Sequence, residues 1–246
     1  MIVNIDGREC ACDKGEYLLD IALRNGIFIP TFCHHEGLRG MAACRICIVE
    51  IETEKGRQVV TSCVYPVERE MAVYTNSEKI RKQRRMLLSL LAARAPESAL
   101  LADMLKFAGG AVPERFKRLY GEKCILCGRC VQACEKIGAG AISTSGRGTE
   151  KKVTTPYDSP SENCIGCASC AAVCPTGAIG VIEDDSAKTI WNKTFTLIKC
   201  EKCGVVLGSR EELEHAAKKA GTAFTKLCES CRKKSLTNVL AETFRK

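Results

Sequence analysis

The mostly apolar "MIVNI" reads as a strand, and apolar residues then recur at helical spacing in "EYLLDIALRNG". "MIVNI" and "RECAC" flank Asp6-Gly7, a pair that favours the tight turn of a β-hairpin. Leu18, Leu19, Ala22 and Leu23 share one helix face, and Gly26 fits the C-cap. "ICIVEIE" and "RQVVTSCV" read as two strands joined by the polar turn "TEKG". The stretch "KIRKQRRMLLSLLAARAPESALLADMLKFAGG" is helix-rich and interrupted at Pro96. Its Leu87, Leu88, Leu91, Leu100, Leu101, Leu105 and Phe107 suit core faces. Its basic run from Lys79 to Arg85 fits a partner surface or a solvated helix face equally well. Toward the C-terminus, Ser209 and Glu212 form a capping-box pattern at the start of a helix. A short apolar helix with Leu236, Val239, Leu240 and Phe244 closes the chain.

Composition changes this picture through one residue type. The chain has 246 residues with ordinary hydrophobic content (46%) and few aromatics (5%). Several small domains stapled by metal fit this better than one large core. The 18 cysteines are the outlier. "MIVNIDGREC" has neither a basic n-region nor a long apolar run, so no signal peptide is expected. No stretch approaches the roughly 20 apolar residues of a transmembrane helix. The expectation is a cytoplasmic protein without membrane insertion, in which clustered cysteines bind metal instead of pairing as disulfides.

"CILCGRCVQAC" at 124–134 and "CIGCASCAAVCP" at 164–175 repeat the spacing C-x2-C-x2-C-x3-C. Three thiolates so spaced wrap a loop around one face of an iron-sulfur cube. The fourth cysteine binds the cube of the other half. This assigns Cys124, Cys127, Cys130 and Cys174 to one 4Fe-4S cluster, and Cys134, Cys164, Cys167 and Cys170 to a second. Pro175 follows the second run as the pattern expects, whereas Glu135 takes that place in the first. Such a change affects the turn and not ligation. A further set, Cys33, Cys44, Cys47 and Cys63, reads C-x10-C-x2-C-x15-C. Gly37, Gly40, Ala42 and Ala43 keep its loop small, so backbone amides can approach inorganic sulfide. The close pair leads into a strand and the last cysteine arrives on a later one. This suits a 2Fe-2S cluster on a plant-ferredoxin-like sheet, with zinc as the alternative; the first gap exceeds the plant spacing of four.

The formal charge of +8 treats every cysteine as a neutral thiol. A metal group held by four thiolates carries about −2 overall. Four such sites contribute roughly −8 and bring the total near zero. The basic excess is then internal compensation, which argues against a nucleic-acid partner and against an iron-sulfur regulator that binds one.

The stretches "GIFIPTFCHHEGL", "ACRICIVEIE", "TSCVYPVEREMAVYTNSEKIRKQRRMLLSLL" and "PTGAIGV" resemble the N-terminal iron-sulfur module of the large iron-sulfur subunit of respiratory complex I. Similar modules open iron-only hydrogenases and subunits of NAD-linked hydrogenases and formate dehydrogenases. "GAGAISTSGRGTEKKVTTPYDSPSENCIGCASC" resembles the linker between the cubes of that group. The resemblance covers about three quarters of the chain. It implies an electron-transfer subunit of an NAD(P)-linked oxidoreductase such as a hydrogenase, a formate dehydrogenase or a bifurcating transhydrogenase. A flavin- and NAD(P)-binding subunit would be one partner, and a second catalytic subunit or soluble ferredoxin another. Oxygen-sensitive clusters would suit an anaerobic organism. The chain departs from the group in having neither Cys nor His between Cys63 and Cys124, where a further cube held by one His and three Cys often lies. Nothing after residue 182 is long enough for a hydrogenase catalytic domain.

Cys200-x2-Cys203 and Cys228-x2-Cys231 form the last set. "CEKCG" is a zinc-knuckle type of turn, and the paired arrangement resembles a zinc ribbon, although its gap of 24 residues exceeds the usual 15–20. Zinc is favoured here and a third 4Fe-4S cluster is the alternative. Cys10 and Cys12 share one strand face and read as buried small hydrophobes. His34 and His35 read as loop packing, with contact to the neighbouring cluster as the alternative, and His215 as an exposed helix residue. There is no G-x-G-x-x-G fingerprint, no phosphate-binding P-loop and no nucleophile with a partnered base. The sequence thus predicts an α+β protein. A plant-type (β-grasp) 2Fe-2S domain spans 1–78, a helical linker 79–120 and a bacterial-type 2×4Fe-4S domain 121–182. A small zinc-ribbon-like domain follows at 183–246. A free-standing polyferredoxin is the rival to the subunit reading.

Overall fold

The computed structural model describes residues 1–243. The chain divides into two compact units. The first comprises Met1–Ala133, Gly146–Lys152 and Val173–Ala178; the second comprises Cys134–Ser145, Val153–Ala172 and Ile179–Lys246.

In the first unit β1 (Ile2–Ile5) and β2 (Arg8–Ala11) pair antiparallel, with Ile5 opposite Arg8. Asp6 (φ 50°) and Gly7 (φ 88°) alone make the turn, as a two-residue hairpin with both φ positive requires. Helix α1 (Leu18–Arg24) buries Leu18, Leu19, Ile21 and Ala22. It ends where Gly26, at φ 69°, lets its own N–H reach Leu23 O and that of Ile27 reach Ala22 O. β3 (Ile48–Thr53) and β4 (Gly56–Thr61) form the second hairpin. The sequence pattern missed β5 (Met71–Tyr74), a four-residue strand with only Val73 fully inward. It nevertheless completes the sheet, giving the order β2-β1-β5-β3-β4, parallel to β1 and antiparallel to β3. Val3, Ile5, Val49, Ile51 and Val73 meet α1 in one core, and Cys10 and Cys12 are buried there as expected. Each large aliphatic side chain so buried stabilises the fold by about 1.5–3 kcal/mol.

Helices α2 (Glu78–Arg94) and α3 (Ala99–Phe107) flank Pro96. Ser77 accepts from Ile80 N, and Ser98 from Leu101 N, each cap contributing about 1 kcal/mol. Leu88, Leu101 and Leu105 are buried, with Leu87 and Leu91 packed beside them. Leu100 and Phe107 do not join this core; they are 39% and 96% exposed. Leu101 and Leu105 share the inward face of α3 at i, i+4 spacing, which turns their neighbour Leu100 outward.

Helix α4 (Arg129–Ile137) begins inside the first cysteine run. Strands β6 (Ser143–Ser145) and β7 (Lys152–Thr154) form a short ribbon, and α5 (Ser169–Ala172) is a single turn within the second run. The second unit is built on an antiparallel sheet that the sequence reading did not foresee. It comprises β8 (Ile182–Glu183), β9 (Ala187–Ile190), β10 (Lys193–Lys199) and β11 (Val206–Ser209), in the order β11-β10-β9-β8. Ile190, Phe195 and Leu197 are buried on it. Helix α6 (Arg210–Lys219) packs against β10 and β11 and starts as the capping pattern predicts, with Ser209 accepting from Glu212 N at 3.1 Å. Helix α7 (Glu229–Thr243) ends the described residues, so Phe244 of the expected apolar helix lies outside them. Among the described residues no helix is long and apolar enough to cross a membrane.

Candidate metal centres

Cys33, Cys44, Cys47 and Cys63 are all buried in the first unit. Cys63 sits on a 3₁₀ turn (Ser62–Val64) just after β4, and not on the strand expected for it. The sulfurs of Cys33 and Cys44 are 3.4 Å apart. Left-handed residues Ala42 (φ 49°) and Arg45 (φ 61°) turn the loop. Its amides then face the sulfurs: Cys44 and Ala43 N–H face Cys33, and Ile46 and Phe32 N–H face Cys44. Cys63 N–H faces Cys47, and Ala42 N–H faces Cys63. Every such donor favours thiolate over thiol. With thiols, the Cys44 and Cys63 hydrogens and these amides drive Cys33 far below its usual range, and donation to Cys33 pushes Cys44 and Cys63 up. The Cys63 thiol lowers Cys47 to about 6. Gly40 makes the closest approach, since a Cβ there would stand 2.4 Å from Cys63 O. His34 faces Asp20 at 3.6 Å and His35 bonds Glu36 O, which matches loop packing.

Arg84 of α2 reaches this site and was not singled out in the sequence. Its guanidinium donates to Ile46 O at 3.0 Å and Ile48 O at 2.6 Å, on either side of Cys47. Burial lowers its pKa to about 10, against the pull of Cys47 and Asp6, so it stays charged at neutral pH. A cation held there complements the negative charge of a thiolate-bound group.

The first cysteine run turns through Leu126 (φ 55°) and Gly128 (φ 78°) before α4. Cys130 lies in the first turn of that helix, with Cys134 four residues on. Cys174 comes beside Cys124, Cys127 and Cys130, adding to the electrostatic pressure on each. Burial raises Cys124, pushes Cys127 up to about 11 and Cys130 to about 12. These thiols stay protonated until a positive group displaces the protons, as metal loading does. Leu126 N–H donates to Cys124 Sγ at 3.4 Å, and Ala178 N–H to Cys174 Sγ at 3.3 Å. This site is fastened to the Cys33–Cys47 loop within the same unit. Gln132 accepts from Arg39 N and donates to Arg39 O, both at 3.1 Å, and Arg129 donates to Phe32 O at 3.3 Å.

In the second unit, Cys134, Cys164, Cys167 and Cys170 line one cavity together with Ala141, Ile142, Ile190 and Trp191. Gly166 (φ 74°) and Ala168 (φ 55°) occupy the positions that Leu126 and Gly128 hold in the first run. Ala141 N–H donates to Cys134 Sγ at 3.2 Å. Lys193 donates to the carbonyls of Ser161, Glu162 and Cys164 at 3.1, 3.2 and 2.8 Å. Burial raises Cys164 and Cys170; the Lys193 charge opposes it at the first and the Trp191 N–H at the second. His215 is half-buried and bonds Ile137 O at 2.9 Å, so the expectation of an exposed residue was wrong. The turn after α4 approaches its ring.

Cys200, Cys203, Cys228 and Cys231 bring their sulfurs within 4.8 Å of one another. The first pair lies on the knuckle between β10 and β11, closed by Gly204 N–H to Cys200 O at 2.8 Å. The second pair opens a helix: Cys228 precedes α7 and Cys231 lies in its first turn. A ribbon with two hairpin knuckles is therefore not what forms. Cys228 N–H donates to Cys200 Sγ at 3.3 Å, and Cys231 N–H to Cys228 Sγ at 3.4 Å. The Cys228 amide lowers Cys200 to about 6.

Residues 2–78 match the 2Fe-2S iron-sulfur cluster binding domain, and residues 118–181 the 4Fe-4S dicluster domain. An NADH-quinone oxidoreductase subunit from Rhizobium meliloti is 31% identical over 228 residues, covering 82% of this chain and 26% of its own length. The NADP-reducing hydrogenase subunit HndD of Solidesulfovibrio fructosivorans is 31% identical over 237 residues, covering 84% and 39%. The chain thus spans about a quarter to two fifths of the length of these curated relatives. A chain in the crystal structure of NAD+-reducing [NiFe]-hydrogenase in the H2-reduced state superposes with a TM-score of 0.63 at 25% identity, covering 72% of this chain and 85% of that one. The protein joins a 2Fe-2S domain to a 4Fe-4S dicluster domain in one α/β chain, and is a homologue of these oxidoreductase and hydrogenase subunits.

Proposed function

We propose that this chain is the iron-sulfur electron-transfer subunit of a cytoplasmic, multi-subunit NAD(P)-linked oxidoreductase, in an anaerobic setting. Cys33, Cys44, Cys47 and Cys63 hold a 2Fe-2S cluster. Cys124, Cys127, Cys130 and Cys174 hold one 4Fe-4S cluster; Cys134, Cys164, Cys167 and Cys170 hold another. Bound, these groups exchange single electrons with little rearrangement. The chain's own residues bury the sulfurs, aim amides at them and place Arg84 and Lys193 as fixed positive charges beside them. Domain limits of 1–78, 79–120, 121–182 and 183–246 describe these functional blocks.

The observation that carries this reading is the bond set joining the first two sites. Gln132 and Arg129 tie the 2Fe-2S loop directly to the helix that opens in the first cube loop. Electrons can pass between these sites without the additional His/Cys3 cube for which the chain has no ligands between Cys63 and Cys124. A flavin- and NAD(P)-binding subunit would exchange electrons at the 2Fe-2S end. A second catalytic subunit or soluble ferredoxin would do so beyond the second cube.

For the last set, sulfur spacing supports zinc. Tetrahedral zinc with bonds of about 2.3 Å sets its sulfurs about 3.8 Å apart. Cys203 and Cys228 Sγ are 3.6 Å apart and all four lie within 4.8 Å. A cube interposes an iron behind every ligand sulfur and needs a wider set. Zinc has no redox chemistry, so this centre is structural.

The test is purification of the native protein under strict anaerobiosis, with mass spectrometry of whatever accompanies it at fixed stoichiometry. A flavoprotein with NAD(P)-binding signatures is expected. A chain that runs alone as a monomer would overturn the subunit reading in favour of a free polyferredoxin carrier.

A further inference from the structure

Trp191 is the single tryptophan of the chain. With Asn192 it forms the two-residue turn between β9 and β10, where Ile190 faces Lys193. Both turn residues have positive φ, 53° for Trp191 and 59° for Asn192. Such turns favour Asn-Gly or Gly-Gly, because a left-handed conformation costs a side-chain-bearing residue about 1–2 kcal/mol. The first hairpin obeys that preference with Asp6-Gly7. The β9–β10 hairpin instead places a tryptophan at a strained position. Sequence economy does not explain this choice, but the contact it creates does: the indole Nε1–H donates to Cys170 Sγ at 3.5 Å. Trp191 also lines the cavity that the four cysteines of the second site share. Strain retained beside a binding cavity points to use of the strained residue.

The first site supplies the control. Cys130 occupies in its run the place of Cys170, and the Val131 backbone amide faces its sulfur. Cys170 has the Ala171 amide and, in addition, the indole. A donor to a ligand sulfur withdraws electron density and stabilises the more negative, reduced state more than the oxidised one. It therefore raises the reduction potential.

We propose that Trp191 is a tuning residue, whose N–H bond to Cys170 raises the potential of the second 4Fe-4S cluster selectively and favours its reduction. This rests on the assignment of that cluster to Cys134, Cys164, Cys167 and Cys170. Bound there, the cluster would exchange a single electron with its redox partner, and no bond would be made or broken in the protein.

The test is an EPR-monitored redox titration of the anaerobic holoprotein and its Trp191→Phe variant, which keeps an aromatic ring and removes the donor. One 4Fe-4S signal should shift to more negative potential. Only the part of the hydrogen bond that strengthens on reduction moves the potential, so at fixed ambient potential the ratio of reduced to oxidised cluster should fall severalfold and at most about tenfold, the latter being about 59 mV for one electron. The other 4Fe-4S signal and the 2Fe-2S signal should not move. Unchanged potentials at full iron content would overturn the proposal, as would a shift in all signals together. Deuterium exchange supplies a second readout on the unsubstituted protein. The reduced second cluster should couple to an exchangeable indole proton, and a titration series in which no such coupling is found contradicts the proposal even where the variant loads poorly. Absence of two 4Fe-4S signals from the unsubstituted holoprotein is a different failure, that of the cluster assignment itself.

Discussion

Two runs, 124–134 and 164–174, share one cysteine spacing and are built differently. In each, the residues two and four places after the first cysteine are left-handed: Leu126 and Gly128 in one, Gly166 and Ala168 in the other. The glycine has changed places. In the first run it lies where Met41 presses on the loop, 3.1 Å from a would-be Cβ on Gly128. In the second it lies against the Phe195 ring, 2.8 Å from a would-be Cβ on Gly166. The spacing dictates the backbone turn, and the neighbour decides which left-handed residue must be glycine. The helices that follow differ too. α4 continues through Glu135 to Ile137, whereas α5 stops at Ala172 ahead of Cys174-Pro175. Proline disfavours the helical conformation in the residue before it, and Glu135 does not. The substitution of glutamate for proline thus lengthens a helix and leaves the cysteine at its place.

The largest contrast concerns the exchanged fourth cysteine. Cys174→Ala should empty the first site and spare the second, although Cys174 belongs to the second run; Cys134→Ala should do the reverse. Each loss should amount to one cluster, about four irons, read by iron analysis and EPR. If Cys174→Ala silences the second site instead, each run binds its own cube. The next contrast concerns the glycines. Gly166→Ala combines a left-handed φ with an unyielding ring, and should cost about 2–4 kcal/mol in denaturant unfolding. Gly128→Ala meets only the flexible end of Met41 and should cost about 1 kcal/mol. Equal costs would mean that Phe195 does not brace the loop. The smallest effect is expected from Gln132→Ala. It removes two exposed hydrogen bonds to Arg39 from the first site and should cost at most about 1 kcal/mol, leaving the second-site EPR signal unchanged.

The cysteine spacings, both early hairpins, the helix caps at Gly26 and Ser209 and the split at Pro96 were legible because each depends on local chemistry within a few residues. β5 was not, because four residues with one inward side chain carry too little period-two signal. The C-terminal sheet was hidden for a different reason. Its "TFTLIK" alternates well enough, but Trp191-Asn192 does not look like a turn. Arg84, Gln132, Trp191 and Lys193 reach the sites through tertiary contacts, which spacing cannot reveal. Trp191 alone carried a hint, as a solitary tryptophan beside cysteine-rich segments. The helix that carries the second pair of the last set was not legible, since C-x2-C spacing suits a helix start as well as a hairpin turn.

Three iron-sulfur centres and one structural zinc are proposed to share this chain. Metal analysis of anaerobically prepared protein, with EPR of the reduced form, tests this most directly. About ten irons and one zinc per chain are expected, with one 2Fe-2S and two 4Fe-4S signals. About fourteen irons without zinc would contradict it, and would make the Cys200–Cys231 centre a redox site.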